Sequence, residues 1–249
     1  MDKQLRLILF AHARSGSSSL LRILQLHPDL HLVEKPFHEN FTSWHPNNPN
    51  YHDQIHDRAS LDGQLETIFA TYNGLKVPDY QLSDDLIAHL RQQPDHRVLF
   101  LRRRNLLQAV VSAMIGQQTQ LWKTWDMTQP LEEYYRNLQP LDIDEVKKQI
   151  SGLQEHLDYC EKIVDHHSGP PALKLIYEDL YFAPEAQRDQ QIASIWQWLG
   201  IVPLGSEQLQ YYLTPKTAKV NSAATYAYLP NAQEIEQECG NEVTGRLCS

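Results

Sequence analysis

Residues 14–19 read Arg-Ser-Gly-Ser-Ser-Ser, and what flanks them leaves few folds open. An apolar run, Leu5-Arg6-Leu7-Ile8-Leu9-Phe10, comes directly before; the helical spacing of Leu20, Leu21, Ile23 and Leu24 comes directly after. This order predicts a strand covered on both faces, a tight turn of small residues and the first turn of a helix. The first N–H groups of a helix have no partner inside it, and the helix dipole adds positive potential there. Such a terminus takes up phosphate or sulfate. Gly16 allows the backbone close to an anion. Ser15, Ser17, Ser18 and Ser19 add hydroxyl donors, and Arg14 adds a rigid cationic fork. The plainer reading of the same residues is a serine-rich turn that caps a helix.

The rest of the chain repeats the theme of strand, loop and helix. It has 249 residues, 41% of them hydrophobic, enough for one globular α/β domain over 1–249. The helix from about Ser18 ends near His27-Pro28-Asp29, because Pro28 disfavours the α conformation at His27. Leu30–Val33 reads as a second strand, and Glu34-Lys35-Pro36-Phe37-His38-Glu39 lies at its carboxyl end. Chemistry in open α/β sheets gathers at such ends, so Glu34 is a candidate general base, with Glu39 as the fallback. Gly74–Pro78 is a short strand that carries Lys76 among apolar neighbours. Val98–Leu101 is a buried strand, and Arg102-Arg103-Arg104-Asn105 leads from it into an apolar helix that contains Ser112, which makes a second candidate anion site. Ala172–Ile176 is a further strand, followed by Tyr177-Glu178-Asp179-Leu180 and by a helix from Pro184 to Gly200. Helices are expected over 61–73, 83–92 and 142–167 as well. The sum is a three-layer α/β/α domain around a parallel sheet.

Between these elements the sequence says less. Residues 40–60, with Trp44, His45, His52 and His56, read as a long surface loop, a lid or an acceptor wall. The aromatic residues of 119–140 (Trp122, Trp125, Tyr134 and Tyr135) suit either a stacking surface or the core of a helical cap. Residues 231–249 suggest a helix and a tail. A net charge of −9 speaks against nucleic acid and polyanionic polymers as partners. Cys160, Cys239 and Cys248 lack metal-ligand spacing and suggest reduced thiols of a cytoplasmic protein, with a Cys239–Cys248 pair left open. The N-terminal apolar run is too short for a signal peptide, and no segment approaches a membrane span.

Arg14-Ser15-Gly16-Ser17-Ser18 resembles the 5′-phosphosulfate loop, [KR]-S-G-[ST]-[ST], of sulfotransferases that use 3′-phosphoadenosine 5′-phosphosulfate (PAPS). It is not the nucleotide-triphosphatase loop, since no Gly-Lys-[Ser/Thr] follows. Arg14, His27-Pro28-Asp29 and Glu34 have a spacing similar to that of tyrosylprotein and bacterial carbohydrate sulfotransferases, where a glutamate deprotonates the acceptor. Lys76 stands where those families place a lysine on the transferring group. Arg104 and Ser112, eight apart, match the family's 3′-phosphate motif, although Leu106 replaces its usual proline. Gln117–Trp122 resembles the Q-T-G-x-W segment, and Tyr-Glu-Asp-Leu resembles a third shared block whose carboxylates tie loop backbone together. Lys216, Lys219 and Asn221 lie where a loop closes over the nucleotide.

The resemblance covers roughly residues 5–37, 74–122 and 172–200. It implies a P-loop-NTPase-like α/β/α fold and transfer of a sulfuryl group from PAPS to a hydroxyl of a sugar or small metabolite, without a metal. Glu34, Arg14 and Lys76 would be catalytic. Arg14, Ser15, Gly16, Ser17, Ser18, Ser19, Arg104 and Ser112 would bind PAPS. Should neither glutamate act, His12, His31 or His38 remain as bases. The alternatives are a small-molecule kinase, which lacks here the Gly-Lys-[Ser/Thr] and an aspartate for magnesium, and a nucleotide-binding protein without catalysis.

Overall fold

The computed structural model describes residues 5–38, 55–122, 126–165, 171–213 and 223–247. Glu39, most of the loop 40–60, Trp125, Lys216, Lys219, Asn221 and Cys248 lie outside the described residues. The chain runs β1 (Arg6–Ala11), α1 (Ser17–Gln25), β2 (Leu32–Glu34), α2 (Arg58–Phe69), β3 (Gly74–Pro78), α3 (Asp84–Gln92) and β4 (His96–Arg102). It continues with α4 (Leu106–Thr119), α5 (Leu131–Tyr135), α6 (Ile143–Asp165), β5 (Leu173–Ile176), α7 (Tyr177–Tyr181) and α8 (Glu185–Leu199). Helices α9 (Ser206–Leu213), α10 (Ala223–Tyr226) and α11 (Ala232–Cys239) complete the order.

Five parallel strands pair in the order β2-β3-β1-β4-β5. β1 is the central strand, and its side chains divide between two helical layers, as the period of two requires. Leu7, Leu9 and Ala11 pack with Leu20, Leu24, Ile195 and Trp196 of α1 and α8. Ile8 and Phe10 pack with Leu61, Leu65, Ile87 and Leu90 of α2 and α3. The domain is therefore a three-layer α/β/α fold. A third apolar cluster joins α4, α5, α6, α10 and α11, and Tyr135 is buried in it. Truncating a fully buried leucine of β1, such as Leu9, to alanine would cost about 2–5 kcal/mol.

Two boundaries differ from the sequence expectation. β2 begins at Leu32 rather than Leu30, because the Leu30 N–H still bonds back to the His27 carbonyl in the turn after α1. α2 begins at Arg58, inside the stretch read as loop. Asp57 and Ser60 form a reciprocal capping box there, and it satisfies two free backbone donors. The strand register sets which side chains can meet. β1 and β3 align Ala11 with Pro78, β1 and β4 align Ala11 with Leu101, and β2 and β3 align Glu34 with Lys76. The carboxyl ends of four strands thus meet along one edge.

Candidate active site

The loop after β1 turns through two residues of left-handed conformation, Arg14 (φ 63°) and Gly16 (φ 79°). Gly16 is also the N-cap of α1, and no side chain caps that helix end. A Cβ at Gly16 would stand 2.7 Å from the Tyr177 ring and 2.9 Å from the Tyr181 ring. Both the dihedral and the space therefore demand glycine. Tyr181 donates its hydroxyl to the Gly16 carbonyl at 3.0 Å. The Ser15 hydroxyl, fully buried, donates to the His12 carbonyl at 2.7 Å. The Ser15 hydroxyl thus braces the loop from within.

Ser18, on the first turn of α1, meets the ends of β2 and β3. Lys76 Nζ lies 3.1 Å from Glu34 Oε1 and donates to Ser18 Oγ at 2.7 Å; Ser18 in turn donates to Glu34 Oε1 at 3.2 Å. Lys76 is 1% exposed and Glu34 8%. A lysine buried to this degree requires a counter-charge, and the parallel register supplies it directly across the ladder. Stripping either partner from such a pair leaves an uncompensated charge at a cost of about 3–5 kcal/mol. The structure therefore brings together three residues that are 58 positions apart at the extremes.

Arg14 reaches across the top of the sheet to α4. Its Nε donates to Ser112 Oγ at 2.9 Å and its Nη1 to the Trp122 carbonyl at 2.9 Å, and the guanidinium sits 5.7 Å from the Trp122 ring centre. Burial, with Arg103 close by, lowers the Arg14 pKa from its ordinary value.

Arg104 and Ser112 make no direct contact. Arg104 turns outward, its side chain 61% exposed, and holds Asp179 at 3.0 Å. Ser112 faces Arg14 instead. The three arginines after β4 go separate ways. Arg102 pairs with Glu161 of α6 at 2.5 Å. Arg103 is buried, donating to the Arg14 carbonyl at 3.2 Å and to Gln108 at 2.5 Å, with its guanidinium 4.5 Å from the Tyr177 ring centre. Nothing in the sequence singles out Arg103 beyond its place in the triplet. The Tyr-Glu-Asp-Leu block is legible there, and Glu178 binds backbone as expected: its carboxylate accepts from the N–H groups of Arg104 (2.9 Å) and Asn105 (3.0 Å).

The three histidines named as fallback bases differ. His31 is exposed on the turn before β2. His38 stacks edge-on with Tyr80, ring centres 6.1 Å apart. His12 is 1% exposed, and its Nε2 accepts the Arg103 N–H at 3.0 Å. Burial pushes its pKa down to about 4. At neutral pH His12 is therefore an uncharged ring whose basic nitrogen is already engaged.

Among the described residues no three His, Cys, Asp or Glu side chains converge as metal ligands would, and no helix is long and apolar enough to cross a membrane. No protein-family model matches the chain, and no curated protein matches it. Among solved structures it is similar to the sulfotransferase domain from the curacin biosynthetic pathway, at 13% identity and a TM-score of 0.47, over 85% of this chain and 78% of that one.

Proposed function

We propose that this chain transfers a sulfuryl group from PAPS to the hydroxyl of an acceptor. The observation that carries the reading is the buried Ser18–Glu34–Lys76 cluster, set against the uncapped start of α1 and beside Arg14. It combines an anion cradle, a buried cation and a carboxylate at one strand edge. Anionic oxygens of the donor are held by the N–H groups that open α1 and by Arg14. Lys76 faces the charge that grows on the sulfuryl and bridging oxygens in the transition state. Glu34 takes the proton of the acceptor hydroxyl. Ser112 and Arg104 receive the 3′-phosphate. Arg104 exchanges a solvent-exposed pairing with Asp179 for it, and such pairings are worth only about 0–1 kcal/mol.

Two measurements test this. Incubation with sulfur-labelled PAPS and a panel of hydroxylated acceptors should add the mass of one sulfo group to an acceptor. Adenosine 3′,5′-bisphosphate should raise the melting temperature, by the equivalent of about 2.7 kcal/mol at a hundred times its dissociation constant, and AMP should do far less. Equal shifts from the two nucleotides would remove the 3′-phosphate assignment.

A further inference from the structure

Lys35, the residue after Glu34, is held between two anchors. Its N–H donates to the Lys76 carbonyl at 3.1 Å, and its own carbonyl accepts the His38 N–H at 3.1 Å. Phe37, two residues on, is fully buried in the core. Lys35 itself takes a left-handed backbone conformation, φ 51°. Such a value is uncommon outside glycine, and the residue before a proline, here Pro36, ordinarily takes extended backbone. Strain of this kind persists only where the surroundings enforce it, and it gathers at ligand sites. An extended Lys35 would continue the alternation of β2 and point away from the side of Glu34. The left-handed turn breaks that alternation. The side chain comes to rest with Nζ 5.6 Å from the centre of the Tyr80 ring, which His38 meets edge-on.

The Lys35 ammonium is half-buried, yet among the described residues it meets no hydrogen-bond acceptor and no carboxylate within ion-pair distance. Its cationic neighbours are engaged: Lys76 by Glu34 and Ser18, Arg14 by Ser112 and the Trp122 carbonyl, Arg104 by Asp179. Burial lowers the Lys35 pKa from its ordinary value; the Glu34 charge opposes this and the Arg14 charge adds to it. The ammonium therefore stands within electrostatic reach of both Glu34 and the anion loop. A ring face attracts a cation without neutralising it. Removing water from an ammonium without supplying an acceptor is unfavourable, and an anionic group set beside Lys35 and the half-exposed Tyr80 ring would remove that deficit. One ammonium on a flexible stem suits a monoanion rather than a polyanion. Arg14 and Lys76 already serve the donor, whereas Lys35 adjoins the carboxylate that takes the acceptor's proton.

We infer that Lys35, posed over Tyr80 by its left-handed backbone, pairs with a carboxylate on the acceptor, so that the acceptor is a hydroxy acid rather than a neutral alcohol or an amino alcohol. The inference rests on the sulfuryl-transfer reading for the word acceptor. Three probes share a phenol body and differ in charge: 4-hydroxyphenylacetate, its methyl ester and tyramine. Binding is followed by ligand-observed NMR in the presence of adenosine 3′,5′-bisphosphate, and sulfo transfer from PAPS is followed by mass. The carboxylate should bind the native chain at least about tenfold more tightly than the ester, and tyramine more weakly still. Lys35→Met keeps the apolar stem and should remove the preference for carboxylate over ester; Lys35→Arg should keep it. Both variants should retain the melting shift by adenosine 3′,5′-bisphosphate, which also shows that they fold. No binding of the carboxylate, equal binding of carboxylate and ester, a preference that survives Lys35→Met, or a nucleotide shift lost in Lys35→Met would overturn the inference, the last by assigning Lys35 to the donor. If the probes behave as stated while no sulfo group is transferred, the Lys35 site stands and the sulfuryl-transfer reading falls. Transfer without any preference for the carboxylate does the reverse.

Discussion

Two helices start at the same edge of this sheet, and their ends are finished in opposite ways. α1 begins at a left-handed glycine, without a side-chain cap and without an acidic residue in its first turn. α4 begins with Asn105 accepting the Gln108 N–H at 2.9 Å. The Glu178 carboxylate takes the N–H groups of Arg104 and Asn105, and the Thr244 carbonyl takes that of Leu107 at 2.9 Å. The N–H groups at the start of the second helix are taken by a carboxylate of the chain itself; the start of the first has no side-chain cap. In sequence both look like a basic residue and a small polar turn after an apolar strand. What separates them is a carboxylate 74 residues away. How open an arginine-rich loop is to an outside anion therefore depends on where the chain places its own acids.

The most severe way to test that contrast is at the α1 side. Glu34→Gln should reduce turnover by about 10²–10⁴-fold, mainly in kcat, with PAPS affinity retained. A lower melting temperature should accompany it, because Lys76 loses its counter-charge. A near-normal rate per folded molecule would take the base role from Glu34.

Next comes the residue that bridges the two helix ends. His12 has a folded pKa of about 4 against an ordinary 6.5, so the fold favours its neutral form. Its contribution is complete above about pH 6.5 and fades as pH falls toward 4, amounting to roughly 3 kcal/mol. Chemical denaturation at successive pH values should show this loss, and His12→Asn should flatten it. An unchanged acid profile would mean that another buried group, His96 for instance, governs the slope.

Arg14→Ala should weaken PAPS binding about 10–100-fold, as loss of a charged hydrogen-bonding group does. Glu178→Gln should instead leave PAPS binding intact and cost about 1–3 kcal/mol of stability, visible in the denaturation midpoint. If Glu178→Gln altered nucleotide affinity as much as Arg14→Ala, the two helix ends would not be functionally distinct. The smallest effect is expected from Arg104→Ala: a decrease in PAPS affinity of about tenfold or less, since its release from Asp179 offsets part of any phosphate contact. A larger loss than that of Arg14→Ala, measured in the same titration, would reverse the comparison.

The strand–turn–helix around Gly16 was legible because an unbroken apolar strand and a small-residue loop have few alternatives. Glu34 stood out at the end of a strand and Lys76 as a lysine among apolar strand neighbours. Their contact was not legible, because a parallel register is set by packing across residues far apart in the chain. The Arg104–Ser112 spacing did not reveal the contacts that each residue makes, for a local reason. α4 starts at Leu106, so Arg104 lies before the helix, where helical periodicity does not set its direction. Arg103, one residue earlier, is the arginine that the fold draws inward. The capping box that starts α2 was present in the sequence as Asp57 and Ser60, but histidines and prolines nearby gave the stretch the look of a loop.

The turn at residues 244–247 has a temporal consequence. Asn105 and Gln108 both donate to the Arg246 carbonyl, and the Asn105 contact spans 141 residues. On a ribosome that adds about 5–20 residues per second, some 7–30 seconds separate the emergence of α4 from that of the turn that completes its cap. During that interval the start of α4 has only part of its final support, and a chain interrupted before Arg246 would never acquire the rest.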